Sequence, residues 1–318
     1  MAGCRSGAVA AGCACMHAFT TTAPKLHTLS SQGRKGKKKM APPTRIPTEE
    51  DFAGIDGLVV KLAYPSPRES TTALLLLFHG LGDWEEPFAG FARGLALPGV
   101  LGIAVRGTSP LPPALLGLSE DDAAATGEGT RHFYWGDDIT LAADGSGDLD
   151  PDPGFAKAQR LVLDRLVHDV LVRRCGWALS DMLLFGFGEG ASLALGLASR
   201  VRLPSSPRVS EVLEETAEAE PSREEQTAFK GVVSIGGPLP PSMVPTLEAR
   251  AKARTPVLVC YGSRSELVDD DAVDLLRREF ADVKAVVWTR PDDGMPRSRD
   301  EVLPLMQFFA ERLNSGWP

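Results

Sequence analysis

"LLFGFGEGASLALGLASR", Leu183–Arg200, is the stretch on which the fold turns. It opens as an apolar run of the kind that suits a strand buried on both faces of a sheet. Gly186, Gly188 and Gly190 then interrupt it at alternate positions, and the remainder has the apolar spacing of a helix. A strand, a sharp turn and a helix in immediate succession make a βα unit.

The same alternation runs outward in both directions. Upstream, "LVVKLAY" (58–64), "ALLLLF" (73–78) and "VLGIAV" (100–105) read as strands, and "PFAGFARGLAL" (87–97) has helical spacing. "GFAKAQRLVLDRLVHDVLVRRCG" (154–176) is an amphipathic helix with Leu161, Leu163, Leu166, Val167 and Val170 among its apolar positions and Gly176 as its stop. Downstream, "GVVSIGG" (231–237), "PVLVCYG" (256–262) and "VKAVVW" (283–288) are strands, and "DDAVDLLRREFA" (270–281) is a helix. A final helix is expected from Ser298, which has capping-box spacing to Glu301, with Pro304 delaying or bending it. The pattern predicts an α/β fold with a mostly parallel central sheet and helices on both faces. Two stretches break the rhythm. Residues 107–152 are irregular and too long for a simple connection. Residues 204–228 carry seven Glu between 211 and 225 and read as an exposed flexible insertion.

Bulk composition narrows the classes. The 318 residues are 43% hydrophobic, enough for one sizeable core. No apolar run reaches the ~18–20 residues of a membrane-spanning helix. The net charge of −8 argues against nucleic acid as a partner. The charge is uneven. No acid precedes Glu49, while Arg5, Lys25, Arg34, Lys35, Lys37, Lys38 and Lys39 crowd the start. Residues 1–48 therefore read as a basic leader: a disordered tail, a mitochondrial transit peptide, a stretch ahead of a true start at Met40 or, least well supported by its composition, a secretory signal. The expected location is cytoplasmic, or mitochondrial if the leader is a transit peptide. Only Cys175 and Cys260 lie in the body, and both read as reduced core thiols.

The glycine turn admits two chemical readings. "GFGEGA" (186–191) fits the dinucleotide fingerprint, with a phosphate at the helix start. The acid expected about twenty residues on, at the end of a second strand, is missing, since Glu211 falls in the polar insertion. The other reading is a nucleophile elbow, G-x-S-x-G, with Gly188 where the serine belongs. A glycine there relieves the backbone strain that the central residue normally bears.

Taken together, "FHGLGD" (78–83), "GFGEG", "VLVCYGSRSELV" (257–268) and "GMPRS" (294–298) resemble the phospholipase/carboxylesterase branch of the α/β-hydrolases, which includes the acyl-protein thioesterases. The similarity spans roughly 58–313 in the correct order. It implies an α/β-hydrolase fold and an acyl ester or thioester substrate. Carried over position by position, it puts the nucleophile at Gly188, the acid at Ser265 beside Glu266, and the histidine at Pro296 or Arg297. The oxyanion donors would be the backbone N–H groups of Leu81 and Glu189, and His79 and Trp135 would lie at the pocket. The histidine count agrees without any alignment. His17, His27, His79, His132 and His168 are all of them, and none follows the turn, where this fold carries its base.

The remaining candidates read blandly. Ser192, one helical turn beyond Gly188, is a small packing residue or a substitute nucleophile. His79 shapes the oxyanion loop, His132 is a loop histidine near the pocket, and His168 is a boundary residue. Glu189 is a helix-start acid, or a group that orients a water. Asp137, Asp138, Asp144, Asp148, Asp150 and Asp152 are solvated, because Leu149 and Phe155 break the calcium-loop pattern. No metal or cofactor is expected. The expectation is a pseudoenzyme that binds an acyl-type small molecule or a protein partner. The alternatives are an active ester or thioester hydrolase with non-standard apparatus, or a nucleotide site at the turn.

Overall fold

The computed structural model describes residues 43–117, 119, 121, 122, 131–140, 149–202, 228–245 and 251–314. Most of the expected leader and nearly all of the expected insertion lie outside these residues, as do Asp144 and Asp148. Seven strands form one sheet: β1 (Val60–Ala63), β2 (Ala73–Phe78), β3 (Val100–Val105), β6 (Met182–Phe187), β7 (Gly231–Ile235), β8 (Val257–Gly262) and β9 (Val283–Trp288). Two short strands, β4 (Ser109–Pro110) and β5 (Phe133–Tyr134), pair as a separate ribbon. The sheet order is β1-β3-β2-β6-β7-β8-β9. Only β1 runs antiparallel, on the edge of β3.

Alternate residues of β2 feed opposite faces, as the two-residue period of a strand requires. Leu74, Leu76 and Phe78 join the core on one side, while Ala73, Leu75 and Leu77 join that on the other. The first core, which also takes in Phe52 of the short helix Glu49–Phe52 (α1), packs under the helices at Ala156–Arg174 (α3), Glu189–Arg200 (α4) and Asp270–Glu279 (α5). The second packs under Glu85–Leu95 (α2) and Arg299–Asn314 (α6). Helices therefore cover both faces. The central strands are apolar throughout because neither side meets water. At the β9 edge Lys284 is exposed, a charge of the kind that discourages pairing with another chain.

Three details depart from the sequence reading. Helix α3 starts at Ala156–Gln159 and continues over Arg160–Arg174 with wide, π-type turns. It buries Val162 and Leu171 as well as Leu163, Leu166, Val167 and Val170, and leaves Leu161 only half-buried. Gly176, at φ 77°, follows its end as expected. Pro304 sits inside α6 without delaying it. The Ser298 hydroxyl accepts from Glu301 N (3.3 Å), but the Glu301 carboxylate takes the Arg297 N–H (2.6 Å), not that of Ser298, so the capping box is half-formed. Residues 43–48, which the sequence groups with the leader, are tied to the domain. Arg45 N donates to Cys175 O (2.9 Å), the Arg45 carbonyl accepts from Trp177 Nε1 (2.8 Å), and its guanidinium pairs with Asp51.

Chain order places the site. From β2 the chain crosses to β3 on one side, and from β6 it crosses to β7 on the other, while β2 and β6 are neighbours. The loops leaving their carboxyl ends part there, and a crevice opens at this switch point. Phe78-His79-Gly80-Leu81 and Phe187-Gly188-Glu189 are the loops in question.

Candidate active site

The turn after β6 is a sharp strand-to-helix bend with Gly188 at its apex. Gly188 sits at φ 53°, ψ −122°, a region open to glycine and costly for any other residue. It is held on both sides: its N–H donates to Ile235 O (2.8 Å), and its carbonyl accepts from Ala191 N (2.9 Å) and Ser192 N (3.1 Å). The flanking glycines are there for space. A Cβ on Gly186 would stand 2.3 Å from Gly190 O, and one on Gly190 would stand 2.3 Å from His79 O and 2.5 Å from Phe78 O. At Gly188 the nearest atom to an added Cβ is Gly80 Cα, 3.9 Å away. Room for a side chain therefore exists at the middle position of the three and at neither flanking one.

The loop after β2 is braced by His79. Its ring is fully buried, with Nδ1 2.7 Å from Gly80 O and Nε2 2.8 Å from Gly107 N. That pairing fixes the neutral tautomer, Nδ1–H donating and Nε2 accepting. Burial pushes its pKa down to about 4. With both nitrogens engaged, His79 is part of the scaffold and not a base. The β4–β5 ribbon clamps the same loop from outside, since Gly82 N donates to Phe133 O (2.8 Å) and Phe133 N to Asp83 O (3.0 Å).

Trp135 differs from expectation. It is fully buried and does not line the cavity, because its indole N–H reaches under the loop to His79 O (2.9 Å) and its ring packs on His79 and Phe78. Its neighbour Tyr134, on the other face of the strand, lines the cavity instead. Glu189 also has a role the sequence did not show. Its carboxylate accepts from Trp135 N (3.0 Å) and Gly136 N (2.8 Å), so it holds that segment rather than a water. Desolvation raises its pKa, partly opposed by those two N–H donors. The backbone N–H groups of Leu81 and Glu189 have no hydrogen-bond partner among the described residues, and both residues line the cavity.

At the acid position, Ser265 Oγ donates to Asp293 Oδ2 (2.6 Å) and accepts from Val268 N (3.0 Å). Asp293 Oδ1 accepts from Gly262 N (2.8 Å). One carboxylate thus pins the ends of β8 and β9 together, a residue that sequence reasoning missed because its partners lie about thirty positions away. Glu266 is exposed, as is Arg297, which pairs with Asp292 at 3.4 Å. Pro296 is half-buried, and neither it nor Arg297 reaches the cavity.

The remaining candidates disperse. His132 sets Nδ1 2.7 Å from Gly82 O and does not line the cavity, and His168 lies part-buried on α3. Asp137 caps α3, accepting from Ala156 N and Lys157 N at 2.7 Å each. Asp152 takes the Ser242 N–H (2.8 Å). No group of His, Cys, Asp or Glu among the described residues is arranged to hold a metal ion.

These loops enclose a cavity of about 360 Å³ over Gly188. Leu81, Ile139, Leu149, Phe187, Pro238 and Leu267 give it an apolar wall, and Ser192 lies in its floor, 2% exposed. Asp138, Asp150 and Glu189 also line it, so a pyrophosphate at the start of α4 would meet acidic residues and no Lys, Arg or His among the described lining residues. No helix among the described residues is long and apolar enough to cross a membrane.

No protein-family model matches the chain. Over 128 residues, 40% of its length, it is 30% identical to an uncharacterised hydrolase of Schizosaccharomyces pombe, covering 46% of that protein. Over 133 residues (41%) it is 33% identical to an uncharacterised hydrolase of Mycosarcoma maydis, covering 43% of it. The chain thus spans less than half the length of the curated relatives it matches. Among solved structures, esterase PE8 matches with a TM-score of 0.54 at 17% identity, over 80% of this chain and 98% of the esterase. Zea mays acyl-protein thioesterase 2 matches with 0.52 at 17% identity, over 80% and 99%. A Bacillus cereus carboxylesterase matches with 0.50 at 15% identity, over 83% and 100%. With its parallel sheet, its elbow after β6 and these structural likenesses, the chain has the α/β-hydrolase fold, in the form seen in solved esterases and an acyl-protein thioesterase.

Proposed function

We propose that this chain is a catalytically silent α/β-hydrolase-fold protein that holds an acyl-like molecule in the cavity over Gly188. One observation carries the reading. The elbow keeps its bend and its room, yet it offers bare main chain where a hydroxyl would stand. No imidazole among the described residues lines the cavity to serve as base. Loss of a central triad member costs roughly 10⁶ in turnover, about 8 kcal/mol of barrier. The apolar wall and the unpaired N–H groups of Leu81 and Glu189 would still hold a chain and its carbonyl oxygen.

The test is labelling of the purified protein with a fluorophosphonate probe, alongside turnover of short-chain esters and acyl thioesters. The expected outcome is no labelling and turnover no faster than buffer. A second reading, an active hydrolase with unusual apparatus, is favoured by Ser192, which lies one turn from Gly188 in the cavity floor. Strong labelling that disappears in Ser192→Ala would establish that reading and remove the first.

A further inference from the structure

The cavity over Gly188 has a one-sided charge. Asp138, Asp150 and Glu189 line it, with no Lys, Arg or His among the described lining residues. The hydroxyl of Ser192, on a residue 2% exposed, makes no hydrogen bond among the described residues, although its backbone N–H bonds Gly188 O. Ser192 lines the cavity, so this hydroxyl is placed to meet a polar group inside it. At about 360 Å³, the space lies at the small end of ligand sites, which run from roughly 300 to 1,000 Å³.

Building on the reading above, we propose that the cavity takes a single-chain amphiphile whose head is neutral or cationic, and that it turns away the corresponding fatty-acid anion. The chain lies on the apolar wall of Leu81, Ile139, Phe187 and Leu267. A hydroxyl or carbonyl oxygen in the head meets the N–H groups of Leu81 and Glu189 or the Ser192 hydroxyl. An ammonium head meets Asp138 at the exposed rim and Asp150 behind it. The free N–H groups also suit an anion, but a full negative charge there lies near Asp138 and Asp150, with no Lys, Arg or His among the described lining residues to offset them. Like charges brought together in this way oppose binding strongly.

Calorimetry on the full chain at pH 7 with decylamine, decanol and decanoate separates these cases, since the three share a chain and differ in the head. The amine and the alcohol are expected to bind, with decanoate at least about tenfold weaker, equivalent to about 1.4 kcal/mol. In the double variant Asp138→Asn, Asp150→Asn, the amine should weaken and decanoate strengthen, with decanol unchanged. Leu267→Trp, at a mouth position that is 45% exposed and so tolerant of change, should weaken all three. Decanoate binding as tightly as decylamine overturns the proposal and leaves the cavity reading intact. Binding of none of the three overturns both. Binding indifferent to Leu267→Trp and to a cavity-filling Ser192→Phe places the ligand elsewhere and also overturns the proposal.

Discussion

Restoring the missing side chain with Gly188→Ser separates space from backbone strain. The nearest atom to a new Cβ is 3.9 Å away, ordinary contact, so sterics add nothing. What remains is the backbone, held at φ 53°, ψ −122° by three hydrogen bonds and unable to relax. Residues other than glycine in such regions cost about 1–3 kcal/mol. For a domain of this size that lowers the melting temperature by roughly 2–4 °C per kcal/mol. Gly190→Ala is the control. Its Cβ would lie 2.3–2.5 Å from main-chain oxygens of the β2 end, which cannot yield without separating β2 from α4. The expected order of melting temperatures is wild type, then Gly188→Ser a few degrees lower, then Gly190→Ala far below or unfolded. Thermal melts followed by circular dichroism read this directly. If Gly188→Ser melts with Gly190→Ala, the room is not there. If it melts with wild type, the bend bears no strain. Either result refutes the reasoning. The introduced serine should stay unlabelled by fluorophosphonate, since no imidazole among the described residues lines the cavity.

Two further outcomes follow from the site. His79, with its pKa lowered to about 4 from 6.5, keeps its full contribution above pH 6.5 and loses it as pH falls toward 4, because the unfolded chain takes up the proton first. Between pH 7 and 4.5 the loss is on the order of 2–3 kcal/mol, opposed in part by Glu189, whose raised pKa makes the folded state the better proton acceptor. Urea denaturation of wild type and His79→Gln at both pH values isolates the histidine share: the wild type should fall more steeply, and parallel slopes would rule the effect out. Refilling the acid position by Ser265→Asp should destabilise rather than repair. It replaces a 2.6 Å hydrogen bond to Asp293 with two facing carboxylates, costing about 1–3 kcal/mol. The loss should shrink in acid or when Asp293→Ser is added, as urea midpoints would show.

The architecture was legible because the central strands are apolar throughout and closed by turn residues, a signal that needs no tertiary contact to read. The elbow was legible for the same reason. Three glycines at alternate positions after such a strand demand close packing, and Gly186 and Gly190 do meet backbone at under 3 Å. The absence of an imidazole after the turn could simply be counted. The supports of the site could not. Trp135 and Tyr134 are adjacent, and only strand phase decides which faces the cavity and which lies beneath the loop. Asp293 and Glu189 act through backbone N–H groups remote in sequence, which no local pattern announces. The stretch 107–152 was marked as too long for a connection, and its described part supplies much of the cavity wall, from Tyr134 to Asp150.

The paired demand of Gly186 and Gly190 is enough to give the turn its shape, whatever group the cleft presents. Any larger residue at either place would drive α4 off the middle of the sheet, so folding alone requires both glycines. The torsion at the position between them, φ 53°, is set by that packing. A protein of this kind can exchange one use of its cleft for another by changing only the side chains around the rim, because the floor is fixed by the requirements of the sheet itself.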